Sequence, residues 1–147
     1  MRAVLLALHV AAGSAGLLLV APVLLVPKRR GWHPWLGRAY LACTGLLCAT
    51  AYGLVGYDAG RLWPFALIST GTLACAGGGL WFALRRPPGW MSVHLSLMSS
   101  SAISFITAFA LQMTDFNPLA WILPTVIGTP LIARRAARAA VPRPREA

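Results

Sequence analysis

AVLLALHVAAGSAGLLLVAPVLLV, residues 3–26, runs directly into Pro27-Lys28-Arg29-Arg30. His9 and Ser14 are the only polar side chains in the stretch. Coiled as an α-helix it would be about 36 Å long at about 1.5 Å per residue, enough to cross a hydrocarbon core of about 30 Å. The proline and three cationic side chains that follow end both helix and hydrocarbon. Arg2 and the small run Ala11-Ala12-Gly13-Ser14-Ala15 superficially resemble a secretory leader. The apolar run, however, continues for about ten residues past them, beyond a leader core of about 7–15 residues. The segment therefore reads as a retained helix.

The same pattern returns along the chain. A second span is expected from about 35 to 57, with Pro34 in the first turn, where a missing N–H costs nothing. Gly60-Arg61 reads as a short turn and Pro64 as the opening of a third span, 62–84, closed by Arg85-Arg86-Pro87-Pro88-Gly89. A fourth covers 90–113. Asp115, Asn117 and Pro118 form a turn-and-start signal for a fifth, 118–133. That last run is about 16 residues, or about 24 Å, and Pro124, Gly128 and Pro130 should kink it. The expected architecture is all-α: one polytopic transmembrane bundle of about five helices over residues 1–133, followed by a basic tail over 134–147.

Composition agrees. The chain has 147 residues, 58% in the hydrophobic set and only 11% charged, with a mean hydropathy of +0.68. Soluble domains carry about 25% charged residues, so a wet globule, a disordered chain and a coiled coil are all excluded. The three cysteines, Cys43, Cys48 and Cys75, lie within apolar runs without C-x-x-C spacing and read as small buried hydrophobes.

Net charge is +10. The basic residues are confined to gaps between apolar runs, unlike the aromatic-interleaved stripe of a nucleic-acid surface. Numbering the gaps from the N-terminus, the first gap, third gap and C-terminal tail hold 11 of the 13 Lys and Arg residues, and only Arg2 and Arg61 fall on the other side. The positive-inside rule places the first side in the cytoplasm and the N-terminus outside, giving a multi-pass protein of the cell inner membrane. The tail is expected to lie in the cytoplasm, near anionic headgroups. Expected partners are the lipid bilayer and another membrane protein or a second copy of the chain, and not nucleic acid. Trp35, Trp63, Trp90 and Trp121 near span ends fit interfacial belts.

Ionisable groups inside spans point to chemistry, because placing them there is costly. No carboxylate lies within a span, which argues against carboxylate-based proton coupling, and the histidines become the candidates. His9 lies about 9 Å from the outer end of the first helix, with Gly13 and Gly16 on its face. These glycines admit a flat cofactor or, more commonly, a neighbouring helix. His33 precedes Pro34 and is expected to cap the second helix. His94 lies one turn into the fourth, on the same side of the membrane, with Met98 and Ser101 on its face. Bis-histidine or His/Met pairs on facing helices hold haem iron in membrane bundles, so His33, His94 and Met98 are candidate ligands, with haem b the cofactor in view. His9, on the opposite side, could not share that iron. Arg38 is a candidate partner for a propionate, phosphate or headgroup, or it snorkels. The hydroxyls of Ser92, Ser96, Ser99, Ser100, Ser101, Ser104 and Thr107 mark the fourth helix as enclosed. Gly45, Ala49 and Gly53, and Gly77-Gly78-Gly79, read as close-packing devices.

Three motifs occur in order: His9-Val10-Ala11-Ala12-Gly13, then His33-Pro34-Trp35-Leu36-Gly37-Arg38-Ala39-Tyr40, then His94-Leu95-Ser96-Leu97-Met98. Over roughly Val4 to Gln112 the chain resembles the bacterial family of predicted membrane proteins termed domain of unknown function 2306, whose members show H-x-x-x-G, H-x-x-L-G-R-x-Y and H-x-x-x-M in that order. The resemblance implies a helical membrane fold with His9, His33, Arg38 and His94 as family positions, and it implies no particular reaction. Two functional classes follow from the residues. One is a non-catalytic membrane component whose histidines are structural; the other is a b-type haem-binding or redox membrane protein using His33 and His94.

Overall fold

The computed structural model describes residues 1–26 and 31–140, and the elements within them are five α-helices: α1 (Arg2–Leu25), α2 (Trp32–Val55), α3 (Ala59–Arg85), α4 (Trp90–Met113) and α5 (Pro118–Ala140). The first four are long and apolar enough to cross a membrane. The charged stop at residues 27–30 and the tail beyond 140 lie outside the described residues.

Local chemistry moves several helix starts outward. Gly31, at φ 144°, precedes α2, so Trp32, His33 and Pro34 form its first turn. Proline is tolerated there because the first four N–H groups of a helix have no intrahelical acceptor. His33 is thus within the helix rather than capping it. In α3, Asp58 caps the N-terminus by accepting from the Arg61 N–H at 3.3 Å. Gly60 and Arg61 are therefore helical, not a turn, and Pro64 is carried inside the helix. At the other end Arg86, in the left-handed region at φ 50°, stops α3. The fifth helix runs past Ala133 to Ala140, carrying Arg134, Arg135 and Arg138 as helical residues.

α1 to α4 follow one another around a four-helix bundle, each packed on the next, and α5 lies along the outer side of α4. α1 and α4 close the ring only weakly. α2 and α4 face each other diagonally, and side chains rather than backbone proximity join them. The central layer is Val23, Tyr40 and Phe105, with Met98 and Leu36 against it, and the Tyr40 and Phe105 rings are 5.5 Å apart. Ser101 donates to the Met98 carbonyl at 2.7 Å. Its single proton is thereby committed, so the 2.9 Å Tyr40–Ser101 bond has the tyrosine as donor.

The glycines of α1 and α3 serve this packing. A Cβ on Gly16 would meet Phe105 at 2.6 Å and one on Gly79 would meet the Met98 sulfur at 2.8 Å. The expected stripe on α2 divides differently. Gly53 packs against Leu5, whereas Gly45 and Ala49 are exposed, with open space beside Gly45. α4 is the enclosed helix that its hydroxyl content suggested, with no exposed residue from Trp90 to Phe105.

The helices also sort the charges. Arg61 reaches Asp115 at 3.4 Å, joining the α2–α3 and α4–α5 connections at one end. Arg135 donates to the Leu24 carbonyl at 3.4 Å, bringing the last turns of α5 to the C-terminal end of α1. Among the described basic residues, Arg38, Arg85, Arg86, Arg134, Arg135 and Arg138 thus gather at one end of the bundle, called the basic end below. Arg2 and Arg61 stand at the other.

Candidate functional site

Two places in the bundle bring chemistry-bearing side chains together. The first is at the basic end. His33 in the first turn of α2 and His94 one turn into α4 meet across the diagonal, their ring centroids 6.5 Å apart and their planes nearly perpendicular at 83°. Both are half-buried. The Nδ1 of His94 lies 2.8 Å from the Gly79 carbonyl of α3. A carbonyl only accepts, so Nδ1 carries a proton. Such a second hydrogen bond is how ligating imidazoles are oriented and their tautomer fixed. The Trp90 ring packs 6.2 Å from His94, and the Arg86 guanidinium sits over Trp90 at 5.5 Å.

Met98 and Arg38 make other contacts. Met98 lies one turn deeper than His94, its sulfur against the position a Gly79 Cβ would take and its side chain against the Tyr40 layer. It packs α4 on α3 beside the same glycine whose carbonyl His94 meets. Arg38 is exposed and stacks its guanidinium 5.3 Å over Trp35. It is five residues after His33, a rotation of about 140° around a 3.6-residue helix, which turns it to the outer face. Among the described cations, Arg86 is joined to His94 through the Trp90 ring. Among the described residues no group of three His, Cys, Asp or Glu side chains gathers as a metal cage.

The second place is at the opposite end. His9 is separated from His33 by most of the bundle: the stretch of α2 from His33 to Thr50, the residue His9 touches, is about 25 Å at about 1.5 Å per residue. His9 therefore belongs to a different site, as its position in the sequence indicated. Its Nδ1 is 3.1 Å from the Thr50 hydroxyl. Thr50 in turn donates to the Leu46 and Leu47 carbonyls at 2.8 and 2.9 Å. With its one proton committed, Thr50 accepts from His9 Nδ1–H. His9 also lines a cavity of about 270 Å³ enclosed by α1, α2, α3 and α4. The cavity exists because α1 and α4 engage weakly. Gly16 lets Phe105 close that seam near mid-bundle, and towards the His9 end the two helices leave a gap.

Gly13 and Gly16 serve helix contacts, with Leu47 and Phe105 in the spaces their missing Cβ atoms leave. Thr50 and the cavity hydroxyls of Ser69, Thr72 and Ser104 were not singled out together from the sequence, because their convergence comes from three different helices. One usable signal existed: Tyr40, Thr44 and Thr50 are the buried polar positions of α2, polar side chains that an otherwise apolar helix turns inward.

No protein-family model matches the chain, and comparison with curated proteins and with solved structures gives no significant match.

Proposed function

We propose that this chain is a multi-pass membrane protein, with its basic end in the cytoplasm and its N-terminus outside, that holds a transition-metal centre between His33 and His94. The observation that carries this is the 6.5 Å apposition of the two imidazoles from facing helices. Two rings on opposite sides of one metal, each nitrogen about 2.1 Å from it, place their centroids about 6 Å apart. Imidazole suits iron, copper, nickel and zinc, and the same spacing serves a bare ion or the iron of haem b. The His94–Gly79 bond supports the reading, since a second hydrogen bond of this kind orients ligating imidazoles. For haem, Arg86 is the residue suited to a propionate; Arg38, on the outer face, is not. Bound there, such a centre would supply one-electron chemistry, and the chain's own part is to orient the ligands and exclude lipid and water. The concentration of basic connections at that end supports the orientation, and the order of the three histidine motifs supports membership of the domain of unknown function 2306 family.

The test is to purify the whole chain in detergent from cells supplied with haem and trace metals, then record metal content and oxidised and reduced visible spectra. The expected result is about one centre per chain, as the ion or as a Soret band with α and β peaks. It should be lost in His33→Ala and in His94→Ala and kept in His9→Ala. A colourless, metal-free protein, or a centre that survives both substitutions, would overturn the reading.

A second reading is favoured by one contact. The His94–Gly79 bond stitches α4 to α3, as a structural histidine in a non-catalytic membrane component would. Under that reading His94→Ala lowers thermal stability while wild type carries no metal.

A further inference from the structure

We propose that the cavity beside His9 binds a neutral aromatic alcohol, a hydroquinone-type ring, whose hydroxyl donates to His9 Nε2. The inference does not rest on a metal at the basic end. It starts from the hydrogen-bond bookkeeping of the cavity wall. His9 Nδ1–H is engaged on the α2 side, where Thr50, itself outside the cavity lining, and the Leu47 carbonyl both lie, so Nε2 is assigned as the acceptor the ring offers the cavity. Thr72 donates to the Ile68 carbonyl at 2.7 Å and Ser104 to the Ser100 carbonyl at 3.2 Å. Both hydroxyls can then only accept from a ligand. Ser14 and Gln112 on the wall can donate or accept, and the Ser69 hydroxyl is paired with the Cys48 thiol. The wall is therefore weighted towards acceptors and selects a molecule that brings its own donor.

The remaining properties narrow the class. No charged side chain lines the cavity, so a charged ligand would forfeit hydration without a partner. The surface is mostly apolar, and Phe65, Phe105 and Phe109 line it from α3 and α4, which favours an aromatic guest. A volume of about 270 Å³ falls just below the usual range of ligand cavities, about 300–1,000 Å³, and suits a single substituted ring rather than a fused polycycle. The weak α1–α4 seam lies between apolar outer faces: Val4, Leu6 and Val10 on α1 and Phe109 on α4 are exposed. An alkyl tail on the ring can leave through that seam into lipid.

The experiment uses the full chain in nanodiscs under reducing conditions and measures saturable binding of decylhydroquinone against its dimethyl ether. The ether keeps ring and tail but has no hydroxyl proton. The expected result is about tenfold tighter binding of the hydroquinone, the scale of one hydrogen bond lost at a buried acceptor, and loss of that preference in His9→Phe. Tailless hydroquinone distinguishes the sources. Affinity equal to that of the decyl compound identifies a free phenolic ligand, and much weaker binding a lipid-tethered one; either supports the site. Ala108→Trp, which fills the cavity from α4, should abolish binding of every probe. Equal affinity for hydroquinone and ether in wild type would overturn the proposal, as would absence of saturable binding or a preference that persists in His9→Phe. The wild-type comparison decides the matter even if His9→Phe does not fold.

Discussion

The packing at Gly16 and Gly79 shows how single atoms set the bundle. A Cβ at Gly16 would stand 2.6 Å from a ring carbon of Phe105 and 3.4 Å from Cys43. Phe105 is only 4% exposed and is held by Tyr40, so it cannot yield. Gly16→Ala is expected to cost about 1–3 kcal/mol, the range for overpacking, measured by reversible unfolding in mixed detergent. Gly79→Ala meets the Cγ and sulfur of a flexible methionine instead and should cost less than Gly16→Ala, with Met98→Ala relieving it. An opposite ranking would mean that the α1–α4 seam is looser than described. Tyr40→Phe removes a donor whose acceptor, Ser101, keeps its own bond to Met98. No buried donor is orphaned, so the loss should stay at about 0.6 kcal/mol, the average for hydrogen bonds within a membrane bundle. At the basic end, Arg38→Gln should leave a bound centre unchanged, whereas Arg86→Gln should weaken haem retention. The reverse pattern would put the guanidinium of the outer face in the site.

At the scale of elements, what the sequence made legible was what depends on length and hydropathy. Four apolar runs became four helices, and the approach of His33 and His94 followed from the up-and-down order of α2 and α4. Rotation about a helix axis was less legible. Arg38 shares a motif with His33 yet faces outward, because five residues do not return to the same side of a 3.6-residue helix. Met98 does share the face of His94, but Gly79 draws it into the α3 contact. Helix ends shifted where capping chemistry outweighed punctuation: Asp58 brought Gly60 and Arg61 into α3, and α5 ran through arginines that had read as the start of a tail. The cavity was illegible for a different reason. It is a shortfall of contact between α1 and α4, and no single helix records it. The placement of α5 along α4 predicts that Gly128→Leu, which would drive into Ile103, separates the two helices. Disulfide crosslinking of paired cysteines placed across the α4–α5 contact should fall in that variant while crosslinking across α1–α2 is unchanged.

For the whole molecule, both candidate sites take their meaning from the way the chain threads the membrane. The apolar outer faces of α1 to α4, with Leu18, Leu67, Trp81 and Phe109 exposed, make a surface suited to contact with lipid. The described arginines divide between the ends, and the Arg61–Asp115 and Arg135–Leu24 contacts fix which connections share a side. An exposed pair such as Arg61–Asp115 contributes little to stability, about 0–1 kcal/mol; its value here is as a marker of threading. The decisive measurement is labelling of single cysteines, introduced at 29, 61, 86 and 115 in a background lacking Cys43, Cys48 and Cys75, by a membrane-impermeant maleimide on intact cells and after permeabilisation. The account predicts that 61 and 115 react from outside and that 29 and 86 react only once the membrane is opened. If 86 and 61 were labelled from the same side, or 29 and 86 from opposite sides, the His33–His94 pair could not lie at a cytoplasmic end and the account would be contradicted.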